Sequence, residues 1–331
     1  MSTFKNNKRL RVLIFLGVVF LGIFFLQKYY RKYDKLIFKQ YNPRSIKQKG
    51  ARVTGNKQMS GIKRNKDNQT LKSFFNNKQD YEKAFAQCTE QGKINIIAGI
   101  VSHHFLAKNS MACFYQKIGD SSTENVILIG PDHFHTHFES SIDFFTTSKS
   151  WKTPYGDLTA NREIIDEIKQ YSHTQENDDA FLTEHSIYTE IPFIKKVFPQ
   201  AKIIPLIIKN SSDYQHFLEE GKNLRNIVKK YDKTILLISS DFTHNSTNQE
   251  AKQKDKQSIN ILEKHNEDKI GQVACDCRSC LATLFGYLNN NSFVDDNGIQ
   301  FKLFANKNST DFGGEDKNVT SYVMGYYAQN N

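Results

Sequence analysis

Residues 125–137 read NVILIGPDHFHTH: an unbroken β-branched and aliphatic run, a Gly-Pro pair, an acid, then His133, His135 and His137. A run of that kind, with no polar alternation, fits a strand buried on both faces, as in a sheet covered by helices. Gly130-Pro131 reads as the turn that ends it. Imidazoles at alternate positions would share one face if the chain stayed extended, so the stretch offers either a metal site or a histidine-rich loop.

Working outward, INIIAGIVS (94–102), KIIPLIIK (202–209) and TILLISSD (234–241) are runs of the same type, and GIQFKLFANK and SYVMGYYA add two strands near the C-terminus. Helix-like segments lie between them at roughly 161–170, 187–198, 211–230, 248–272 and 278–289. Ser211, Ser212 and Asp213 are N-cap candidates for the third of these. Alternating elements of this kind predict an α/β domain, a layered αβα sandwich around a largely buried sheet. Functional groups in such domains gather where strands end and loops begin. Three predicted strand exits each deliver a histidine: Ser102-His103-His104, Asp132-His133 and SSDFTH, with Asp241 and His244. One such histidine would signify little; three converging point to a metal or acid–base site. His104 directly follows His103, and neighbours on an extended segment point oppositely, so the two are not expected to share an ion. His173, His216 and His265 stand in polar contexts and read as surface residues.

The chain has 331 residues and a net charge of +10, unevenly spread. Residues 1–70 carry 17 Lys and Arg against Asp34 and Asp67, a balance of +15, while the remainder carries 28 against 33, a balance of −5. The basic character therefore belongs to the N-terminal region and gives no reason to expect a nucleic-acid partner. VLIFLGVVFLGIFFL (12–26) has no charge and spans roughly 22 Å as a helix, short of the ~30 Å hydrocarbon core, with basic and tyrosine residues on its flanks to extend it. This predicts an uncleaved single-pass anchor within 1–30, a basic polar linker over 31–80 and a folded domain over 81–331. The expected localisation is the membrane, contacted through helix and linker, with a small-molecule or peptide ligand for the domain. Five cysteines, Cys88, Cys113, Cys275, Cys277 and Cys280, argue by their odd number against a closed disulfide framework, and CDCRSC lacks the second ligand pair of a zinc knuckle.

From residue 95 to 328 the sequence resembles the Memo family, called AmmeMemoRadiSam system protein B in prokaryotes. The resemblance rests on GIVSHH, GPDH (130–133), WKTPYGDL (151–158), EHSIYTEIPFI (184–194), SSDFTH (239–244) and TSYVMGYY (320–327), which occur in the family's order. Ser102, Asp132 and Tyr188 stand where the family pattern has proline, serine and an acidic residue. The family's fold is similar to that of class III extradiol dioxygenases. The resemblance implies a mononuclear metal, iron or copper before zinc, held by His103, His133 and Cys275, with Cys277 in reserve. It further implies His244 as acid–base residue; Asp241 reads as orienting a ligand imidazole through its second nitrogen, and His185, beside Glu184, as a second candidate for the pocket wall. A metal-dependent oxidoreductase, a non-catalytic binding module on the same fold and an extradiol-type dioxygenase all remain open on this reading. His135 and His137 read as loop residues.

Overall fold

The computed structural model describes residues 70–89, 92–134, 139, 141–289 and 298–329. The chain divides into Met1–Arg64 and Asn65–Asn331, and the described residues all lie in the second unit. The apolar stretch 12–26 lies outside the described residues, as do His135 and His137. Among the described residues no helix is long and apolar enough to cross a membrane, which overturns the expected membrane localisation. The folded unit also begins inside the expected linker: β1 (Leu71–Lys72) and α1 (Lys78–Phe85) bury Leu71, Tyr81 and Ala84.

The four internal apolar runs form β2 (Ala98–Val101), β3 (Asn125–Pro131), β8 (Lys202–Ile208) and β9 (Thr234–Ser239). They are the parallel centre of an eight-stranded sheet, neighbouring one another in the order β2-β9-β3-β8. On one side the antiparallel hairpin of β10 (Ile299–Asn308) and β11 (Ser321–Gln329) attaches to β2. On the other, β4 (Phe144–Thr146) runs antiparallel to β8 and pairs with β7 (Thr174–Glu176). A small second sheet joins β1, β5 (Trp151–Thr153) and β6 (Gly156–Leu158).

Side chains alternate across the central strands and feed two cores, which is why the runs carry no polar positions. Ile127, Ile129, Leu236 and Ile238 enter one core with α3 (Arg162–Tyr171), α6 (Tyr214–Val228), α7 (Asn248–Glu263) and α8 (Arg278–Leu288). Val126, Leu128, Ile235 and Leu237 enter the other with α1, α2 (Lys108–Ile118), α4 (His185–Tyr188) and α5 (Ile191–Val197). The protein is thus a mixed α/β fold with its main sheet buried between helices.

Gly130-Pro131 is not the turn the sequence suggests. β3 continues through Pro131, which pairs with Ile208 at the strand's end, where only one neighbour remains to be bonded. Glycine is required at 130 because α4 lies against the strand: a Cβ there would collide with Ser186 Oγ and lie 2.7 Å from Ser186 Cβ. The Ser186 hydroxyl then donates to the Pro131 carbonyl at 3.0 Å. This close approach brings the Glu184-His185 corner over the exit of β3.

Two disulfides are present, Cys88–Cys113 and Cys277–Cys280, leaving Cys275 as the free cysteine. The odd count therefore reflects two closed pairs and one thiol.

Candidate metal centre at the strand exits

β9 lies between β2 and β3, so their three carboxyl ends are adjacent. The chain leaves β2 towards α2 in one core and leaves β9 towards α7 in the other, opening a crevice at these ends. Into it project His103 from β2, His133 from β3, Ser240-Asp241 from β9, His185 from the start of α4, and Asp276 from the turn before α8.

Three imidazoles cluster there. The ring centroid of His103 is 5.0 Å from those of both His133 and His185, and the latter two are 4.0 Å apart. The ring nitrogens and carboxylates of His103, His133 and His185, and of His103, Asp241 and Asp276, form two overlapping groups compact enough to hold a metal ion. Asp276 Oδ2 lies 3.2 Å from His103 Nε2 and 3.5 Å from His133 Nε2, while Asp241 Oδ2 is 3.7 Å from His103 Nε2.

The far side of each ligand-type imidazole is held. His133 Nδ1 meets Glu184 Oε1 at 2.8 Å, and the His133 backbone N–H donates to Glu184 Oε2 at 2.9 Å. A carboxylate only accepts, so Nδ1 carries the proton and Nε2 faces the crevice. Glu184 also caps α4 by accepting from the Ser186 N–H at 2.9 Å, and its side chain is 1% exposed. His103 Nδ1 pairs with Ser239 Oγ at 3.1 Å. Asp276 is clamped by the Ser240 hydroxyl, which donates to Oδ1 at 2.7 Å, and by the Asp241 N–H, 3.3 Å from Oδ2. Ser102 donates to Asp241 Oδ1.

The charges follow from this packing. Burial opposes protonation of His103, yet the Asp241 and Asp276 carboxylates hold its pKa above the ordinary value. Burial also acts against His133, but hydrogen bonds to Asp276 and Glu184 push it up to about 10. Asp276, despite burial, is held far below the usual carboxylate range by His103 and His133. His185 goes the other way: burial, reinforced by the charges of His103 and His133, pushes it well below its usual value.

The sequence expectations map unevenly onto this crevice. His103, His133, His185 and Asp241 meet in it. His104 turns away, as the alternation rule requires, stacking on Tyr322 with Nδ1 2.7 Å from its hydroxyl. Cys275 belongs to neither donor group. It packs against the apolar core, and burial, with the neighbouring Asp276 carboxylate, pushes its thiol up to about 12. Cys277 is bonded to Cys280. His244 is exposed and also belongs to neither group. Sequence reading missed Asp276 and Glu184 as site residues. Glu184 was legible in principle, because an acid directly before His185 in an N-cap position must find donors.

A family model described as Memo-like protein matches residues 57–326. The chain belongs to the Memo family. A "MEMO1 family protein" of Nitrosopumilus maritimus (strain SCM1) is 28% identical over 242 residues, covering 70% of this chain and 83% of that protein. Another, from Aquifex aeolicus (strain VF5), is 29% identical over 181 residues, covering 54% of this chain and 65% of its own length. Among solved structures, an uncharacterized protein from Escherichia coli K12 aligns with a TM-score of 0.45 and 11% identity, over 70% of this chain and all of that one. In this Memo chain the side chains of His103 and His133 belong to one compact donor group.

Proposed function

We propose that this Memo protein is a mononuclear metalloprotein whose ion is held by His103 Nε2, His133 Nε2 and Asp276 Oδ2, with an oxidoreductase-type role. The observation that carries the reading is the convergence of two imidazole nitrogens on one carboxylate oxygen, at 3.2 and 3.5 Å. Ligand atoms ~2.0–2.2 Å from a shared ion are separated by roughly 3 Å, so these two distances are close to those around a divalent cation. The bonds from Glu184 and Ser239 behind the imidazoles orient them as metal ligands are commonly oriented.

The family resemblance implies Cys275 as the third donor, but Cys275 belongs to neither compact donor group and packs beside the apolar core. Two imidazoles and a carboxylate suit iron(II) better than the thiolate-loving copper(I), and leave coordination positions open. Bound there, the metal would supply Lewis acidity and access to redox chemistry. His185 stays neutral beside the ligands, because burial opposes its charged form, and lines the same crevice with its ring 4.0 Å from that of His133. Asp241 holds His103 by charge and is in turn held by Ser102. A carboxylate donor also raises the standing of an extradiol-type dioxygenase reading, whose iron site uses two histidines and a carboxylate.

The test is elemental analysis of the anaerobically purified full chain. The expected result is about one iron per chain, lost in His133→Ala and Asp276→Asn and kept in Cys275→Ser. Iron unchanged in His133→Ala overturns the site. Iron kept in Asp276→Asn and lost in Cys275→Ser returns the third position to the thiolate.

A further inference from the structure

A second group of donors sits at the edge of the main sheet and shares no residue with the first: Asp143, His173 and His216, with Glu220 beside them. We propose that these four side chains form an independent site for a zinc-type divalent cation. Sheet register creates it. Phe144 pairs with Thr174 across β4 and β7, so the residues just before, Asp143 and His173, are neighbours, and the His173 carbonyl accepts from the Asp143 N–H at 2.8 Å. On its other side Asp143 meets the end of β8, where its carbonyl accepts from the Lys209 N–H at 2.9 Å. The chain then turns at Asp213, whose side chain caps α6 by accepting from the His216 N–H at 3.1 Å. His216 and Glu220, four residues apart on that helix, face the same way, towards Asp143.

The donor atoms converge. Asp143 Oδ2 lies 2.7 Å from His216 Nε2 and 3.2 Å from His173 Nδ1, and Glu220 Oε1 lies 3.5 Å from His173 Nδ1. Four ligands around zinc, at ~2.0–2.1 Å, are separated by about 3.3 Å, and these three spacings lie on either side of that value. The charge balance favours a cation. The Asp143 and Glu220 carboxylates are 7% and 5% exposed, whereas the formal positive charge against them is Lys209, 3.3 Å from Asp143 Oδ1. Glu220 Oε2 has no hydrogen-bond partner among the described residues. A buried carboxylate oxygen without a donor is costly, and a coordinated ion removes that cost. The imidazoles of His173 and His216 are partly exposed, which gives an ion a path in.

The arrangement differs from the crevice in kind. With Asp143, His173 and His216 in one compact group and Glu220 beside His173, two carboxylates and two imidazoles would supply the four ligands of a structural zinc site and tie β4, β7 and α6 together. Its role is to lock the sheet's edge rather than to bind substrate.

The experiment uses the full chain, stripped of metal and titrated with zinc alone, with bound zinc counted after gel filtration. The variants are His173→Asn, whose parent side chain is 53% exposed and outside the core, Glu220→Gln, and His133→Ala as the control for the other site. One equivalent is expected to disappear in both His173→Asn and Glu220→Gln and to persist in His133→Ala, with zinc raising the melting temperature of the wild type and not of His173→Asn. Equal zinc binding by wild type, His173→Asn and Glu220→Gln overturns the proposal. Loss confined to His133→Ala also overturns it while sparing the crevice site; loss confined to His173→Asn and Glu220→Gln supports it while refuting the crevice as a zinc-binding site.

Discussion

Replacing Glu184 by glutamine tests whether the crevice is pre-organised from behind. The carboxylate is 1% exposed and accepts three N–H groups: the His133 ring, the His133 backbone and the Ser186 backbone. Glutamine keeps one acceptor oxygen and turns the other into a donor that faces an N–H. At ~1.5–3 kcal/mol for a hydrogen bond to a charged group, losing one such bond and creating one donor–donor contact costs about 2–4 kcal/mol. For a domain of this size that corresponds to a melting temperature lower by roughly 5–10 °C. Freed from Glu184, the His133 ring can adopt either tautomer, and metal affinity should fall about 10–100-fold, the usual consequence of deleting a ligand's outer partner. The assay is thermal unfolding of the metal-free protein alongside a competitive metal titration. Glu82→Gln is the control, since Glu82 is half exposed and its pairing with Lys196 is worth ~0–1 kcal/mol. A Glu184→Gln protein that melts and binds metal like the control would refute the reasoning.

Gly130→Ala should destabilise the fold by about 1–3 kcal/mol through overpacking against Ser186; it should also weaken metal binding, because it pushes the Glu184-His185 corner off the strand, and an unaltered urea midpoint would contradict the close approach. Glu190 is fully buried, accepts from the Tyr115 hydroxyl at 2.7 Å, and is pushed up to about 8 by burial. The folded state therefore binds a proton that the unfolded state releases near ~4.5, so its favourable contribution is complete below that value and is lost as pH rises through about 8. Urea midpoints should fall between pH 5 and 8 in the wild type and fall less in Glu190→Gln; parallel profiles would show that Glu190 does not titrate in this window.

The parallel centre of the sheet was readable because each strand there faces two cores and cannot afford a polar residue. NVILIGP and KIIPLIIK match β3 and β8 almost end to end. The short strands β4, β5, β6 and β7 are only three residues long and partly polar, so no period can form, and they exist because neighbours supply the hydrogen bonds. The first two histidines of the crevice were legible as strand exits. The cluster of Asp143, His173 and His216 was not, because its members come from a loop, a second loop and a helix, and Asp143 and His216 are 73 residues apart. Each looks like an ordinary surface residue until the register of β4 and β7 is known.

The third donor of the crevice turns on a single residue of register. Cys275 and Asp276 are adjacent in the bend before α8, where Asp276 Oδ2 reaches His103 and His133 while Cys275 belongs to neither donor group. What selects Asp276 is a reciprocal clamp between the exit of β9 and the turn before α8. The Asp276 N–H donates to the Asp241 carbonyl at 3.0 Å, while the Asp241 N–H and Ser240 hydroxyl reach back to the Asp276 carboxylate. Swinging Cys275 inward would break these bonds, carry the Asp276 charge away from two imidazoles and expose apolar surface. The same turn is fixed downstream by the Cys277–Cys280 disulfide at the head of α8, which limits any slide of the chain by one residue. On the proposed assignment, the clamp and the disulfide hold the Asp276 carboxylate towards the two imidazoles, and a carboxylate donor suits a harder metal ion.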